Sequence, residues 1–224
     1  MLVPGHRSNP SATPVPRSLL DGFRKAAVAV ISDNMNRLHG TQSLKPFGEA
    51  RLIGTAVTVK TRPGDNMALH KAYEFLRPGD VLVVDGGGYL GQALVGEIMM
   101  SRARAMGVAG FVIDGAIRDV AAFAEAGFAC FARGVTHRGP YKSGPGEINV
   151  PVSIDGMVVM PGDIIIGDED GLVAFDRAVA DDLLALVHQQ EAREAKALAG
   201  IAAGQLDVSY LVEAAKETTK GKTQ

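Results

Sequence analysis

The sequence predicts a single mixed α/β domain. Three observations carry that prediction. The middle of the chain alternates short β-branched runs with helical stretches, as parallel α/β structure does. From Asn149 to Phe175 the pattern becomes all strand, with an Asp170-Gly171 hairpin turn near its end. The chain has 224 residues, 46% of them hydrophobic and 21% charged, enough for one sizeable core.

Residues 1–17 hold Pro4, Pro10, Pro14 and Pro16 with little apolar pattern, and read as an N-terminal arm or a subunit-wrapping tail. The domain is expected over 18–217, and 218–224 reads as a frayed tail. Ser18 is placed to cap a helix from Leu19 to Val30, and Ser32-Asp33 a second, short helix ending at Gly40. Thr55 to Thr61 alternates as a strand. Pro78-Gly79-Asp80 is a tight turn feeding Val81–Asp85, and Pro161-Gly162-Asp163 one feeding Ile164–Asp168. Pro63-Gly64-Asp65 is a third such turn, but Asn66 to His70 reads as helical. Between these lie a helix from Gly96 to Met106, a strand from Gly110 to Asp114, a helix from Arg118 to Ala126 and a strand at Ala129–Ala132. Asp170-Gly171 joins strands Ile164–Gly167 and Leu172–Phe175, and Arg177 to Leu198 has helical spacing with a charged outer face.

The formal net charge is −2 and the basic residues are scattered, so nucleic acid is not an expected partner. The lone Cys130 excludes an intrachain disulfide and a cysteine-rich zinc site; its apolar neighbours make it a small buried hydrophobe. No basic segment with an apolar core opens the chain and no apolar run could span a bilayer, so no membrane association and a cytoplasmic location are expected.

Several motifs invite chemistry. Gly86, Gly88 and Gly91 spell G-x-G-x-x-G after a strand, and Asp114 ends the next one, as in a dinucleotide or S-adenosylmethionine fingerprint. Against this, the strand follows an arm and an earlier strand, and the helix starts near Gly96 rather than Gly91. A glycine-rich loop allowing close backbone approach is the better reading. Asp168-Glu169-Asp170 is three acids in a row, best taken as a solvated hairpin turn. No two histidines stand at H-x-x-x-H spacing, and there is no G-x-S-x-G elbow. Gly96 to Met99 forms a first helical turn whose free amides attract anions. Glu97 there, and Arg118-Asp119 at the next helix start, each have a plainer reading as dipole complement, cap or surface pair. Together they gain weight: twenty residues separate Glu97 from Arg118. An arginine beside a carboxylate suits an anionic substrate held next to a divalent metal.

That pattern, an acidic residue, twenty residues, then Arg-Asp, resembles the class II pyruvate aldolases that cleave 4-hydroxy-4-methyl-2-oxoglutarate and 4-carboxy-4-hydroxy-2-oxoadipate. Their superfamily also contains the regulator of ribonuclease activity A (RraA-like). The resemblance runs from about Ser32 to Phe175. It includes Gly54-Thr55-Ala56-Val57-Thr58-Val59, Pro63-Gly64-Asp65-Asn66, Asp85-Gly86-Gly87-Gly88, Asp114 to Asp119, Asn149-Val150-Pro151-Val152, Pro161-Gly162-Asp163 and Asp170-Gly171. The aspartate usual at the first motif position is Glu97 here, one methylene longer.

The resemblance implies a single swivelling-type β/β/α domain with a mixed sheet. It implies a homotrimer, paired or not into a hexamer, with active sites between subunits. It implies retro-aldol cleavage of a 4-hydroxy-2-oxo dicarboxylic or tricarboxylic acid to pyruvate and a second oxo acid, with oxaloacetate decarboxylation as a side activity. In that picture Asp119 binds Mg²⁺ or Mn²⁺, and Gly96, Ile98 and Met99 hold the substrate carboxylate. Arg118 steadies the enolate, and Glu97 orients a metal-linked water that acts as base. An acid of a neighbouring subunit supports the metal-bound water, with Glu191, Glu194 and Glu213 as candidates. Arg62, Lys71, His137, Arg138 and Lys142 are candidates for meeting a distal carboxylate. The competing expectation is a non-catalytic regulator that binds and inhibits a ribonuclease, as some relatives do.

Overall fold

The computed structural model describes residues 3–204. In chain order the elements are α1 (Arg17–Gly22), α2 (Val28–Asn34), β1 (Lys45–Phe47), β2 (Leu52–Thr61), α3 (Met67–Ala72), β3 (Asp80–Val95), α4 (Glu97–Ala105), β4 (Gly110–Ile117), α5 (Val120–Ala126), β5 (Ala129–Val135), β6 (Gly146–Ile148), β7 (Val152–Ile154), β8 (Met157–Val159), β9 (Ile164–Asp168), β10 (Gly171–Phe175) and α6 (Ala180–Ala202). The fold is mixed α/β, as the alternating pattern predicts.

One sheet runs in the order β1-β5-β4-β3-β2-β9-β10, with β6 added against β2. Strands β2 to β5 are parallel neighbours, while β1, β6, β9 and β10 join antiparallel. Helices α3, α4 and α5 cover one face, where Leu82, Val84, Phe111 and Ile113 meet Leu69, Met100 and Phe123. The β7–β8 hairpin contributes to the other, where Val81, Val83, Val112 and Phe131 meet Val152, Ile154 and Val159. Successive residues of a strand point to opposite faces. A strand covered on both faces therefore needs apolar residues at every position, which explains the unbroken run Val81–Val84.

Three local expectations give way to tertiary contacts. The helix expected from Leu19 to Val30 is two helices, α1 and α2, with a turn between them. The Arg51 guanidinium takes the carbonyls of Phe23 and Ala26 at 2.5 and 2.9 Å, and Asp168 accepts the Val28 amide at 2.7 Å. Backbone groups that a continuous helix would pair internally thus find partners outside it. Ser32-Asp33 end α2 rather than cap a new helix, and Asn36 and Arg37 follow in left-handed conformation at φ 57° and 58°. The strand after Pro78-Gly79 does not stop at Asp85. It continues to Val95 with register shifts, Gly87 and Gly88 at φ 66° supplying turns of the backbone that β-branched residues could not. The expected glycine-rich loop is thus part of a bent strand.

The described residues of the N-terminal arm lie along their own chain. Arg7 pairs with Glu147, Asn9 and Asn149 exchange side-chain-to-backbone hydrogen bonds at 2.9 and 3.0 Å, and Ser11 donates to the Phe75 carbonyl at 3.0 Å. The chain divides into two compact units, Met1–Leu184 and Ala185–Gln224. The described part of the second is helical up to Ala202. Glu213 and the tail at 218–224 lie outside the described residues. Among the described residues no helix is long and apolar enough to cross a membrane.

The Arg7 pairing has a pH signature. Hydrogen bonding from Arg7 holds the Glu147 carboxyl below the usual glutamate range. A depressed carboxyl stabilises the fold above its unfolded value, and that stabilisation fades as pH falls through the folded value. Urea denaturation of the wild type and Glu147→Gln should therefore show a constant stability gap between pH 8 and about pH 5, shrinking as the solution is acidified further.

Candidate functional site

Strand β3 ends at Val95 and hands the chain to α4 through Gly96. Beside it β4 ends at Ile117 and hands the chain to α5 through Arg118-Asp119. Parallel pairing brings the two exits together: Val95 lies opposite Ile117, and the Arg118 amide donates to the Val95 carbonyl at 3.1 Å. The twenty residues between Glu97 and Arg118 are thus one helix plus one strand, the length of a right-handed return to the neighbouring strand.

Asp119 occupies the position before α5, and its carbonyl accepts the Ala122 amide at 3.0 Å, but its side chain makes no hydrogen bond to its own helix. Its backbone is left-handed, φ 57° and ψ 40°, and its Oδ2 instead accepts the Glu97 amide at 3.0 Å. It caps α4 from outside, where the helix dipole favours negative charge. Asp119 Oδ1 has no protein partner among the described residues. The Arg118 Nε stands 3.6 Å from Asp119 Oδ2, with both side chains about two-fifths exposed. Gly96 has ordinary extended backbone, so its identity is a matter of space: a Cβ there would strike Asp119 Oδ2 and crowd Arg118.

The first backbone bond of α4 runs from the Met100 amide to the Gly96 carbonyl at 3.0 Å. The Ile98 and Met99 amides precede it and have no intrahelical acceptor. They border a cleft of about 120 Å³, together with Gly96, Arg118, Asn66, His70 and Lys142. The Tyr73 hydroxyl donates to the Met99 carbonyl at 2.6 Å, and Arg102 lies 4.5 Å from the centre of the Tyr73 ring. Burial pushes the Tyr73 phenol up, so it remains a donor to that carbonyl.

The far wall is held by one buried carboxylate. Asp65 is fully buried and accepts the amides of Met67, Ser143 and Gly144 at 2.9, 2.7 and 2.9 Å. The neighbouring backbone continues the clamp. The Tyr141 amide donates to the Gly64 carbonyl at 2.8 Å, and the Asn66 amide to the Tyr141 carbonyl at 3.0 Å. The start of α3 and the loop bearing Lys142 are thereby tied together. Asn66 donates through Nδ2 to the Leu94 carbonyl at 3.0 Å, and its Oδ1 is buried without a donor. His70 is held below the usual histidine range, first by burial and then by the positive charges of Lys142 and Arg102. The cleft therefore presents cations and amide donors, and one orphaned acceptor.

Gly96, Ile98, Met99 and Arg118 border the cleft, while the exposed side chain of Glu97 and the carboxylate of Asp119 lie outside its lining. Of the five candidates for a distal carboxylate, the structure brings only Lys142 there. Lys71 borders a separate cavity near His6, Arg62 another near Arg7, and Arg138 engages through its carbonyl, which accepts the Ala93 amide at 2.8 Å. Sequence reasoning missed Asn66 and His70. The only signal was that the Pro63-Gly64-Asp65 turn opens a helix, whose first turns face the cleft.

The decoys are structural. Asp114, the acid of the dinucleotide-like fingerprint, accepts Arg133 Nε at 2.6 Å and the Asp155 amide at 3.0 Å. Asp85 accepts the Gly87 amide at 3.1 Å. Asp168 takes the amides of Val28 and Asp170. Burial pushes the Cys130 thiol up, as befits a core residue. Among the described residues no cluster of three or more histidine, cysteine, aspartate or glutamate side chains could hold a metal. Asp119, whose Oδ2 lies against Gly96 and Arg118 of the cleft lining, keeps its Oδ1 without a protein partner among the described residues. One carboxylate suits a hard ion that keeps most of its water, as Mg²⁺ does, and not a fully protein-ligated metal.

Comparison with known proteins shows the family. The RraA-like family description, Aldolase/RraA, matches residues 28–174. A Halalkalibacterium halodurans protein, named provisionally as a 4-hydroxy-4-methyl-2-oxoglutarate aldolase, is 38% identical over 172 residues, covering 76% of this chain and 82% of that one. A Thermus thermophilus protein named 4-hydroxy-4-methyl-2-oxoglutarate aldolase is 38% identical over 126 residues, 56% of this chain and 76% of that one. The solved structure of the RNA-processing inhibitor RraA from Thermus thermophilus superposes with a TM-score of 0.63 at 35% identity, covering 67% of this chain and 93% of that one.

The Asp65 clamp is testable on its own. Asp65→Ala leaves three amides without their acceptor and should cost about 2–4 kcal/mol in urea denaturation. Hydrogen exchange at Ser143 and Gly144 should accelerate more than exchange in β4.

Proposed function

Because the chain belongs to the RraA-like family (Aldolase/RraA), we propose that it is an aldolase releasing pyruvate from a 4-hydroxy-2-oxo acid. One observation carries the reading: a cleft lined by Arg118, Lys142 and the open amides of α4, with the Asp119 carboxylate beside it. Cations and amides fit the carboxylates of such a substrate.

In this proposal the Ile98 and Met99 amides hold the C1 carboxylate and fix the orientation of the reacting carbons. The C4 hydroxyl gives its proton to a water held by Glu97 at the cleft mouth. The C4–O bond becomes a carbonyl as the C3–C4 bond breaks; that bond's electron pair forms the C2–C3 double bond, and the C2 carbonyl π pair moves onto oxygen, giving pyruvate enolate. Arg118 donates to that oxygen, a preorganised charge where charge develops. The proton taken up by that water then returns to C3 and completes pyruvate. Asp119 would hold Mg²⁺ or Mn²⁺; when bound, the cation supplies further positive charge to the enolate. Decarboxylation of oxaloacetate passes through the same enolate and is proposed as a side activity. Assembly as a homotrimer, paired or not into a hexamer, with Glu191, Glu194 or Glu213 of a neighbour near the metal, belongs to the same proposal.

The likeness to an RNA-processing inhibitor supports a second reading, a regulatory binding protein. Pyruvate release separates the two. With 4-hydroxy-4-methyl-2-oxoglutarate and with oxaloacetate, release should require Mg²⁺ and stop with EDTA. Asp119→Ala and Arg118→Ala should each lower turnover by roughly 100-fold or more. Arg118→Lys should also lose most activity, because a planar fork becomes a point charge. Absence of release from either compound by the folded wild type would overturn the aldolase reading for these substrates and favour the regulatory one.

A further inference from the structure

The first turn of α4 carries the open amides, yet a helix start is the part least supported by its own hydrogen bonds. One bond, from the Met100 amide to the Gly96 carbonyl, closes the ring of backbone that contains Glu97, Ile98 and Met99. Asp119 steadies that ring at its Glu97 end. Tyr73 reaches the other end. It closes α3 and lies in the apolar core, only 3% exposed, with its hydroxyl donating to the Met99 carbonyl at 2.6 Å. That carbonyl and the Met100 amide belong to one peptide unit. The unit therefore accepts from Tyr73 through its oxygen and donates to Gly96 through its nitrogen, and in such a chain each hydrogen bond polarises and strengthens the next.

The hydroxyl does more than fill space. By helix geometry the Met99 carbonyl already faces the Ala103 amide, four residues on, so it is no orphan in need of a donor. A phenylalanine would fill the same core volume and bring no polar group to satisfy. Arg102, in the next turn of α4, lies over the Tyr73 ring at 4.5 Å and helps to fix it. At the other end of α3, Asn66 Nδ2 stands 3.5 Å from Met99 Sδ. The two ends of α3 thus grip Met99 by its backbone and by its side chain. Tyr73 itself lies outside the cleft lining. We infer that Tyr73 is a positioning residue: through the Met99–Met100 peptide it holds the first turn of α4 closed, so that the Ile98 and Met99 amides converge on one carboxylate. The inference rests on the carboxylate-holding role proposed for those amides and deepens it, by naming the side chain that fixes their direction.

The test is Tyr73→Phe, which keeps the ring and removes only the donor. Binding of pyruvate is measured by calorimetry with Mg²⁺ present, so the readout does not depend on turnover. The variant should bind pyruvate about 3- to 10-fold more weakly, the worth of one neutral hydrogen bond. Hydrogen exchange at the Met100 amide should accelerate, while exchange in β4 and the urea midpoint stay at their wild-type values. With 4-hydroxy-4-methyl-2-oxoglutarate the KM should rise by a similar factor and kcat should hold, because a C1 carboxylate is gripped equally before and during bond cleavage. Wild-type pyruvate affinity or wild-type Met100 exchange in the variant would overturn the positioning role and leave the aldolase reading in place. Equal acceleration of exchange at Met100 and in β4 would also overturn it, since the hydroxyl would then serve only the fold. Failure of the folded wild type to bind pyruvate would overturn the carboxylate-holding role of the amides and the inference together.

Discussion

The hydrogen bond from the Glu97 amide to Asp119 is the contact on which the cleft depends. It joins two chain segments that leave adjacent parallel strands and would otherwise diverge. Two demands follow. Asp119 must take a left-handed backbone, which costs roughly 1 kcal/mol for a residue with a side chain. Gly96 must lack a Cβ, because that volume is filled by Asp119 and Arg118. The gain is a helix start whose first amide is capped from outside while the next two stay open. A cap supplied by the residue before Glu97 would have satisfied an inner amide and closed the anion site.

Carboxylates elsewhere serve the same end by the same means. Asp65 answers three amides, Asp168 two, and Asp155 the amides of Gln42 and Ser43 as well as Arg133. A carboxylate can accept several hydrogen bonds at once, so one residue gathers loops that share no regular structure. Removing such a group strands all its donors together, which makes it a fixed point. Asp65 fixes the wall opposite α4, and the sheet fixes α4 itself. The cleft is thus bounded by a rigid strand exit on one side and a loop stapled at a single buried oxygen pair on the other.

The strands were legible because both sheet faces are buried: runs such as Val81–Val84 and Phe111–Ile113 have no polar alternation to blur them. The Arg118-Asp119 pair and its distance from Glu97 were legible because one helix and one strand have nearly fixed lengths. Other features depend on partners far away in the chain. The break between α1 and α2 is made by Arg51 and Asp168, more than twenty residues from it. The extension of β3 past Asp85 depends on β4 continuing beside it through irregular register. His70 and Asn66 look ordinary in sequence, since a short helix shows no preferred face until it is packed.

These constraints bear on the choice between enzyme and regulator. A scaffold that only presents an outer surface has no need of an orphaned acceptor, a strained aspartate and an unpaired lysine gathered around one small cleft. The buried Asn66 oxygen without a donor and the left-handed backbone of Asp119 are local costs. Asn66 and Lys142 line the same cleft as Ile98 and Met99, and Asp119 holds the Glu97 amide beside it. Such concentrated local cost is expected where a ligand will later satisfy it. A ligand whose carboxylates meet the amides and cations of the cleft would do so, as the proposed 4-hydroxy-2-oxo acid does.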